Sequence, residues 1–154
     1  MHIHLTINGQ KKRIEVRPGD ILLDVLRKEG YQSIKKGCGL GECGACAVLL
    51  DNRPVNSCLV LAADADGSEI TTAEGLGTPD KPHFLQEAFV KAGAVQCGYC
   101  TPGMIISAKA LLDRNPRPST EEIKKGLDGN YCRCTGYVKI IDAVRQAALK
   151  LKRS

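Results

Sequence analysis

Eight cysteines are the residues of this 154-residue sequence whose type and spacing could support chemistry. They form two groups of four, one in each half of the chain: Cys38, Cys43, Cys46 and Cys58, then Cys97, Cys100, Cys132 and Cys134. Four thiolates complete either a tetrahedral zinc site or the ligand set of an iron-sulfur cluster. Each half of the chain therefore contains one candidate metal-binding site.

The first group has the spacing C-x4-C-x2-C, with its fourth cysteine after a further eleven residues. This spacing matches the ligand run of plant-type 2Fe-2S proteins. The surrounding glycines allow positive φ angles, so that backbone N–H groups can turn toward a cluster; they are Gly37, Gly39, Gly41 and Gly44. We therefore expect a 2Fe-2S cluster here. The final gap is much shorter than in plant ferredoxins, so a free-standing ferredoxin is a poorer alternative.

The second group is a C-x2-C pair followed, after 31 residues, by a C-x-C pair. A C-x2-C knuckle also suits structural zinc, so a zinc-stabilised scaffold or binding module remains an alternative. The plant-type run in the same chain favours a second 2Fe-2S cluster. Each pair is followed by a threonine, Thr101 or Thr135, which is predicted to cap a helix. Two helix N-termini would then face the sulfurs, and their positive dipole ends suit a negatively charged cluster.

Charge and composition argue against a nucleic-acid partner. The formal net charge is +5, but two oxidised clusters with their thiolates carry about −2 each, which leaves about +1. Aromatic residues make up 4% of the chain and tryptophan is absent, so base-stacking platforms are not expected.

The chain also lacks the sequence features of an exported or membrane-spanning protein. Its first residues show no basic region followed by an apolar one, and no apolar run approaches the roughly 18 residues of a membrane span. We expect a cytoplasmic protein in a reducing setting, where disulfide bonds are rare.

Hydrophobic periodicity changes near residue 76. Before it, alternation predicts a β-hairpin over residues 2–16, a short helix over 22–29, and strands over 47–50, 54–61 and 69–72. After the Gly- and Pro-rich segment 75–82, helical spacing predicts four helices, the third with a capping box of Ser119 and Glu122. We predict an α+β domain over residues 1–76 and a helical domain over 77–154.

The chain resembles the small iron-sulfur subunit of the molybdenum hydroxylases, the family of xanthine oxidase, aldehyde oxidoreductase and CO dehydrogenase. The resemblance covers nearly the whole length. It rests on three segments in the same order: GCGLGECGAC at 37–46, QCGYCTPGM at 96–104 and GNYCRCTGY at 129–137.

The resemblance implies a ferredoxin-like β-grasp domain followed by an all-α four-helix domain, with all eight cysteines as cluster ligands. It implies a large partner subunit that holds a molybdopterin cofactor, and a medium subunit that binds FAD. The helical-domain cluster would lie nearer the molybdenum. In this family the residue matching Gln96 touches the molybdopterin cofactor, and the ligand matching Cys134 lies close to the pterin.

We therefore expect an oxidoreductase subunit that transfers single electrons from the molybdopterin centre to a flavin subunit or other acceptor. The sequence shows no nucleophile-base pair, flavin fingerprint or molybdenum-binding segment, so we expect no substrate-converting site and no catalytic residue in this chain. Relatives that share this small subunit act on different substrates, and the holoenzyme's substrate is not encoded here.

Overall fold

The computed structural model describes residues 1–151, and its chain begins with a β-hairpin. Strand β1 (His2–Ile7) pairs antiparallel with β2 (Gln10–Glu15). The turn between them places Asn8 and Gly9 at φ 50° and 79°, the left-handed conformation that a two-residue hairpin turn requires. Alternate residues of β1 point into the core, as the sequence predicts; they are Ile3, Leu5 and Ile7.

A five-stranded sheet and one helix make up the first half of the described chain. Helix α1 (Leu22–Lys28) follows the hairpin, and the remaining strands are β3 (Ala47–Leu50), β4 (Arg53–Asn56) and β5 (Glu69–Thr71). Their order in the sheet is β2-β1-β5-β3-β4, with β1 and β5 parallel and the other pairs antiparallel. The apolar side of α1 packs on one face of this sheet. The predicted ferredoxin-like β-grasp domain is confirmed.

The strand predicted over residues 54–61 is shorter than expected. Strand β4 ends at Asn56, and a single turn of 3-10 helix, Ser57–Leu59, follows. Ser57 is buried, and both its N–H (3.3 Å) and its hydroxyl (2.7 Å) donate to the carbonyl of Cys46. These bonds turn the chain so that Cys58 lies beside Cys46, which a continuing strand would not do.

The second half of the described chain is helical. The short helix α2 (Ala73–Leu76) follows β5, and four longer helices come after it: α3 (Phe84–Lys91), α4 (Thr101–Arg114), α5 (Thr120–Leu127) and α6 (Val138–Leu151). Helices α3 and α6 pack together, as do α4 and α5, around one apolar core. The four-helix domain is confirmed, and so is the capping box of Ser119 and Glu122 at α5.

The boundary between residues 76 and 77 stays a prediction, although α2 ends at Leu76. Residues 152–154 of the predicted helical domain lie outside the described part of the chain. Among residues 1–151, no helix is both long and apolar enough to cross a membrane.

The two halves pack together through β3 and α4. Ala47 and Leu49 lie on the face of β3 away from the β-grasp core, and they contact Ile106 and Ala110 of α4. The backbones approach so closely that a Cβ atom at Gly103 would lie 2.3 Å from the carbonyl oxygen of Gly44. Because Gly44 lies in the first cysteine loop and Gly103 follows the second, this packing places the two cysteine sites side by side.

Candidate iron-sulfur sites

The first site lies in the loop between α1 and β3, which contains three of its four cysteines. The Cys38 sulfur accepts hydrogen bonds from the backbone N–H groups of Leu40, Glu42 and Cys43 at 3.3 to 3.4 Å. The Cys38 N–H in turn donates to the Cys43 sulfur at 3.3 Å. The N–H of Leu40, followed by those of Cys43 and Glu42, lowers the pKa of Cys38 to about 6. This loop is built to hold a thiolate.

Glycine at position 37 leaves room for the Cys43 sulfur. A Cβ atom there would lie 2.6 Å from the Cys43 sulfur. The positive φ angles of Gly39 and Gly41, 68° and 79°, allow the tight turns that direct the amides inward. The predicted positive φ angles are thus present at Gly39, Gly41 and Gly44, whereas Gly37 does not have one.

The other two cysteines of this site form a second pair: Cys46 directly precedes β3, and Cys58 lies in the 3-10 turn. Burial raises the pKa of Cys46 to about 11; the N–H of Cys58 acts in the opposite direction, and the Cys58 thiol acts in the same direction as burial. A buried thiolate here needs a positive charge beside it, which a bound metal supplies.

The second site is a cavity of about 460 Å³ at the surface of the helical domain. All four cysteines of the second group line it, together with three tyrosines and one arginine: Cys97, Tyr99, Cys100, Tyr131, Cys132, Arg133, Cys134 and Tyr137. The sulfurs of Cys97 and Cys134 are 3.5 Å apart. Cys100 and Cys132 form the other interacting pair.

The two thiols of the Cys100 and Cys132 pair have opposite pKa shifts. Burial, reinforced by the adjacent Cys132, raises the pKa of Cys100 to about 12. Burial acts in the same direction on Cys132, but the Thr135 hydroxyl and the N–H groups of Thr135 and Cys134 outweigh it and lower that pKa. The Thr135 hydroxyl lies 3.1 Å from the Cys132 sulfur.

The predicted threonine caps are wrong, although the helix positions are close to those expected. Helix α4 begins at Thr101, its N-cap residue is Cys100, and no side chain caps it. Helix α6 begins at Val138, three residues after Thr135. The Thr135 hydroxyl accepts from the N–H of Tyr137, which precedes the helix, and donates to the Cys132 sulfur. The N-terminus of α4 nevertheless directly follows the Cys97 to Cys100 pair.

Both donor sets fit a 2Fe-2S cluster. Each of the eight cysteines is a free thiol. In each site the thiols interact as two pairs, which suits two irons that each take two thiolates. In the first site, backbone amides also donate to the sulfurs, and such bonds stabilise a cluster with net negative charge.

The two sites are joined by direct hydrogen bonds that the sequence did not predict. The N–H of Tyr131 donates to the carbonyl of Cys43 at 2.9 Å. The Asn130 side chain donates to the carbonyl of Gly44 at 3.1 Å and accepts from the Ser107 hydroxyl at 2.6 Å. The residues on the two sides of this contact are far apart in the sequence, and no motif indicates that they meet.

Comparison with known proteins agrees with this geometry. Residues 5–76 match the model of the 2Fe-2S iron-sulfur cluster binding domain, and residues 72–145 match the model of the [2Fe-2S] binding domain. The chain is 55% identical, over 94% of its length and 93% of the relative's, to the nicotinate dehydrogenase small FeS subunit of Eubacterium barkeri. The chain belongs to the small iron-sulfur subunits of the molybdenum hydroxylases.

Solved structures support the same assignment. Quinoline 2-oxidoreductase from Pseudomonas putida 86 contains a chain with a TM-score of 0.95 and 43% identity, and the match covers 100% of this chain and 97% of that one. The aldehyde oxidoreductase from Desulfovibrio desulfuricans matches with a TM-score of 0.96 and 47% identity over 99% of this chain. This small subunit spans 17% of that aldehyde oxidoreductase chain.

Family membership confirms several of the sequence predictions. The protein is an electron-transfer component of an oxidoreductase, and it contains two 2Fe-2S binding domains. This favours a second cluster over the zinc alternative. Subunit names among the relatives, and the greater length of the aldehyde oxidoreductase chain, indicate a larger partner.

The residues predicted to contact the molybdopterin cofactor lie at the surface of the helical-domain site. Gln96 is exposed and directly precedes Cys97, while Cys134 is exposed at the cavity itself. The sulfurs of Cys134 and Cys97 are in contact, so both predicted residues belong to the same side of the second site. Their contact with a cofactor stays a prediction for this molybdenum hydroxylase subunit.

Proposed function

We propose that this subunit relays single electrons through two 2Fe-2S clusters, from the molybdopterin centre of a large partner to an FAD-binding partner or another acceptor. The ligands of the first cluster would be Cys38, Cys43, Cys46 and Cys58, and those of the second would be Cys97, Cys100, Cys132 and Cys134. Each cluster, when bound, accepts and releases one electron at a time. The chain's own residues hold the clusters, keep them close together and set their surroundings.

The hydrogen bond between Tyr131 and Cys43 carries this proposal. Cys43 is a ligand of one proposed cluster, and Tyr131 directly precedes Cys132, a ligand of the other. The two ligand loops are therefore connected by covalent bonds and one hydrogen bond of 2.9 Å, without an intervening side chain. Such a connection holds the two clusters at a fixed short separation, which single-electron transfer between them requires.

Each site also has its own exposed side, so one can receive electrons while the other releases them. In the helical domain, Gln96 and Cys134 are exposed. In the β-grasp domain, Cys38 is exposed, and so are the side chains of Leu40 in the same loop and of Leu59, which follows Cys58. By resemblance to the family, the helical side would face the large molybdopterin-binding partner and the β-grasp side would face the flavin.

No residue of this chain is assigned a role in substrate conversion. The four thiols of each site are used as ligands, and the conversion of substrate would take place on the large partner. A cytoplasmic location suits the eight free thiols, which an oxidising compartment would tend to pair.

Purified native complex tests the proposal. We expect red-brown protein with about four iron and four sulfide per chain, and EPR-monitored redox titration should resolve two 2Fe-2S species. In size-exclusion chromatography the chain should travel with a larger molybdenum-containing chain. Zinc without acid-labile sulfide would instead indicate the scaffold alternative, and a chain that migrates alone would indicate a free-standing ferredoxin.

A further inference from the structure

Thr135 makes a contact that its place in the CRCTGY segment does not suggest. Its hydroxyl donates to the Cys132 sulfur at 3.1 Å and accepts from the backbone N–H of Tyr137 at 3.2 Å. The amide occupies a lone pair of the hydroxyl oxygen, which leaves the hydroxyl hydrogen free to point at the sulfur. Two hydrogen bonds therefore hold this donor in one orientation, and the partly buried position protects it from competing water.

The same site contains a second cysteine that is directly followed by a threonine, and this pair provides an internal comparison. Thr101 follows Cys100 as Thr135 follows Cys134, and both threonines are partly buried. Within residues 1–151, however, the Thr101 hydroxyl makes no hydrogen bond to a cysteine sulfur. The hydroxyl contact is thus specific to Thr135 and is not a general consequence of the repeated sequence.

The donors to the Cys38 and Cys132 sulfurs differ in kind. In the first site, the Cys38 sulfur accepts from the backbone amides of Leu40, Glu42 and Cys43, which no side-chain substitution removes. In the second site the Cys132 sulfur accepts from a side-chain hydroxyl as well as from the N–H groups of Thr135 and Cys134. The surroundings of the second cluster can therefore be altered by one substitution that leaves the backbone unchanged.

We propose that the Thr135 hydroxyl raises the reduction potential of the helical-domain cluster by donating a hydrogen bond to the Cys132 thiolate. One-electron reduction makes the cluster more negative, and part of that charge lies on its sulfur ligands. A hydrogen-bond donor at a ligand sulfur therefore stabilises the reduced cluster more than the oxidised one. No proton is transferred in this step. The inference rests on the proposed function, because it requires Cys132 to be a cluster ligand.

Thr135 is a positioning residue under this proposal, and the test measures the reduction potential of the helical-domain cluster. In native complex carrying Thr135→Val, which keeps the side-chain shape without the hydroxyl, we expect the helical-domain cluster to be harder to reduce. At a fixed ambient potential its reduced-to-oxidised ratio should fall about tenfold, which for a one-electron couple corresponds to about 59 mV. Dithionite titration followed by EPR measures this, and the β-grasp cluster in the same sample serves as the internal reference.

Two control variants test whether the shift depends on a hydroxyl group and on its contact with the Cys132 sulfur. Thr135→Ser keeps a hydroxyl and should retain the native potential, while Thr101→Val removes a hydroxyl that does not contact sulfur and should shift neither cluster. An unshifted potential in Thr135→Val, or an equal shift in Thr101→Val, would overturn the proposal.

Iron content and circular dichroism establish whether each variant is loaded and folded. If Thr135→Val loads poorly, Thr135→Ala provides the second hydroxyl-free variant. Loss of the helical-domain cluster in both, with retention in Thr135→Ser, would also overturn the proposal, because the hydroxyl would then serve assembly rather than the potential. Failure of the proposed function is distinct, since native protein would then lack one or both 2Fe-2S signals.

Discussion

Replacement of Asn130 by alanine should loosen the contact between the two cysteine sites. Asn130 is 7% exposed, and its side chain lies between the two halves of the molecule. It joins the Gly44 carbonyl, which belongs to the first cysteine loop, to the Ser107 hydroxyl on α4. Alanine removes both hydrogen bonds and leaves the backbone of the neighbouring loops in place.

The size of the effect follows from what each partner loses. The Gly44 carbonyl keeps a second bond, from the Ala47 N–H at 3.1 Å, so it is not left without a donor. The Ser107 hydroxyl loses the acceptor it has at 2.6 Å. With a net value of about 1 kcal/mol for each bond, and the lost packing of a buried side chain, we expect a destabilisation of about 2 to 3 kcal/mol.

The assay measures the rate of cluster loss, because cluster loss makes unfolding irreversible. Loss of visible cluster absorbance is followed in guanidinium at fixed concentration. If these contacts break before the rate-limiting barrier, 2 kcal/mol corresponds to about thirtyfold faster loss. Ser107→Ala removes one of the two bonds and should cost about 1 kcal/mol.

The double variant provides the matched control. Asn130→Ala and Ser107→Ala share one hydrogen bond, so the double variant should lose absorbance little faster than Asn130→Ala alone. The reasoning would be refuted if Asn130→Ala matched the native rate within about twofold. It would also be refuted if the two single effects added in full, because Asn130 and Ser107 would then be energetically independent.

Two further predictions concern the packing between the sites and the independence of the clusters. Gly103→Ala should destabilise the protein, because the new Cβ would lie 2.3 Å from the Gly44 carbonyl oxygen. This clash should outweigh the helix propensity of alanine, which is about 1 kcal/mol more favourable than that of glycine. Thermal scans at a fixed rate should show a lower transition temperature, and an unchanged or higher one would contradict the close approach. Cys46→Ser should remove one 2Fe-2S EPR signal and Cys132→Ser the other; loss of both signals in a variant that remains folded would contradict separate ligand sets.

Much of this molecule follows from local sequence patterns. Alternation predicts the hairpin, and helical spacing with a capping box predicts the helices, because both periodicities arise from backbone geometry over a few residues. The cysteine spacing and glycine-rich loop likewise predict the first site, since ligands close in sequence are close in space. The strand over 54–61 fails as a prediction because the contact of Ser57 with Cys46 overrides local propensity.

The threonine caps fail for a related reason. A Thr directly before an apolar helical run is a reasonable cap, yet the helix boundary at Cys100 and the sulfur near Thr135 determine what each hydroxyl contacts. Side-chain partners depend on the atoms within reach, which one-dimensional spacing does not specify.

The sequence by itself determined which residues could bind iron, how they are grouped, and the class of fold that holds each group. The tertiary structure alone decided that the two sites adjoin. That contact depends on packing β3 against α4, which brings Asn130 to Gly44 across 86 residues of sequence. Local periodicity contains no information about such a pairing, because it arises only when two separately folded apolar faces exclude water between them.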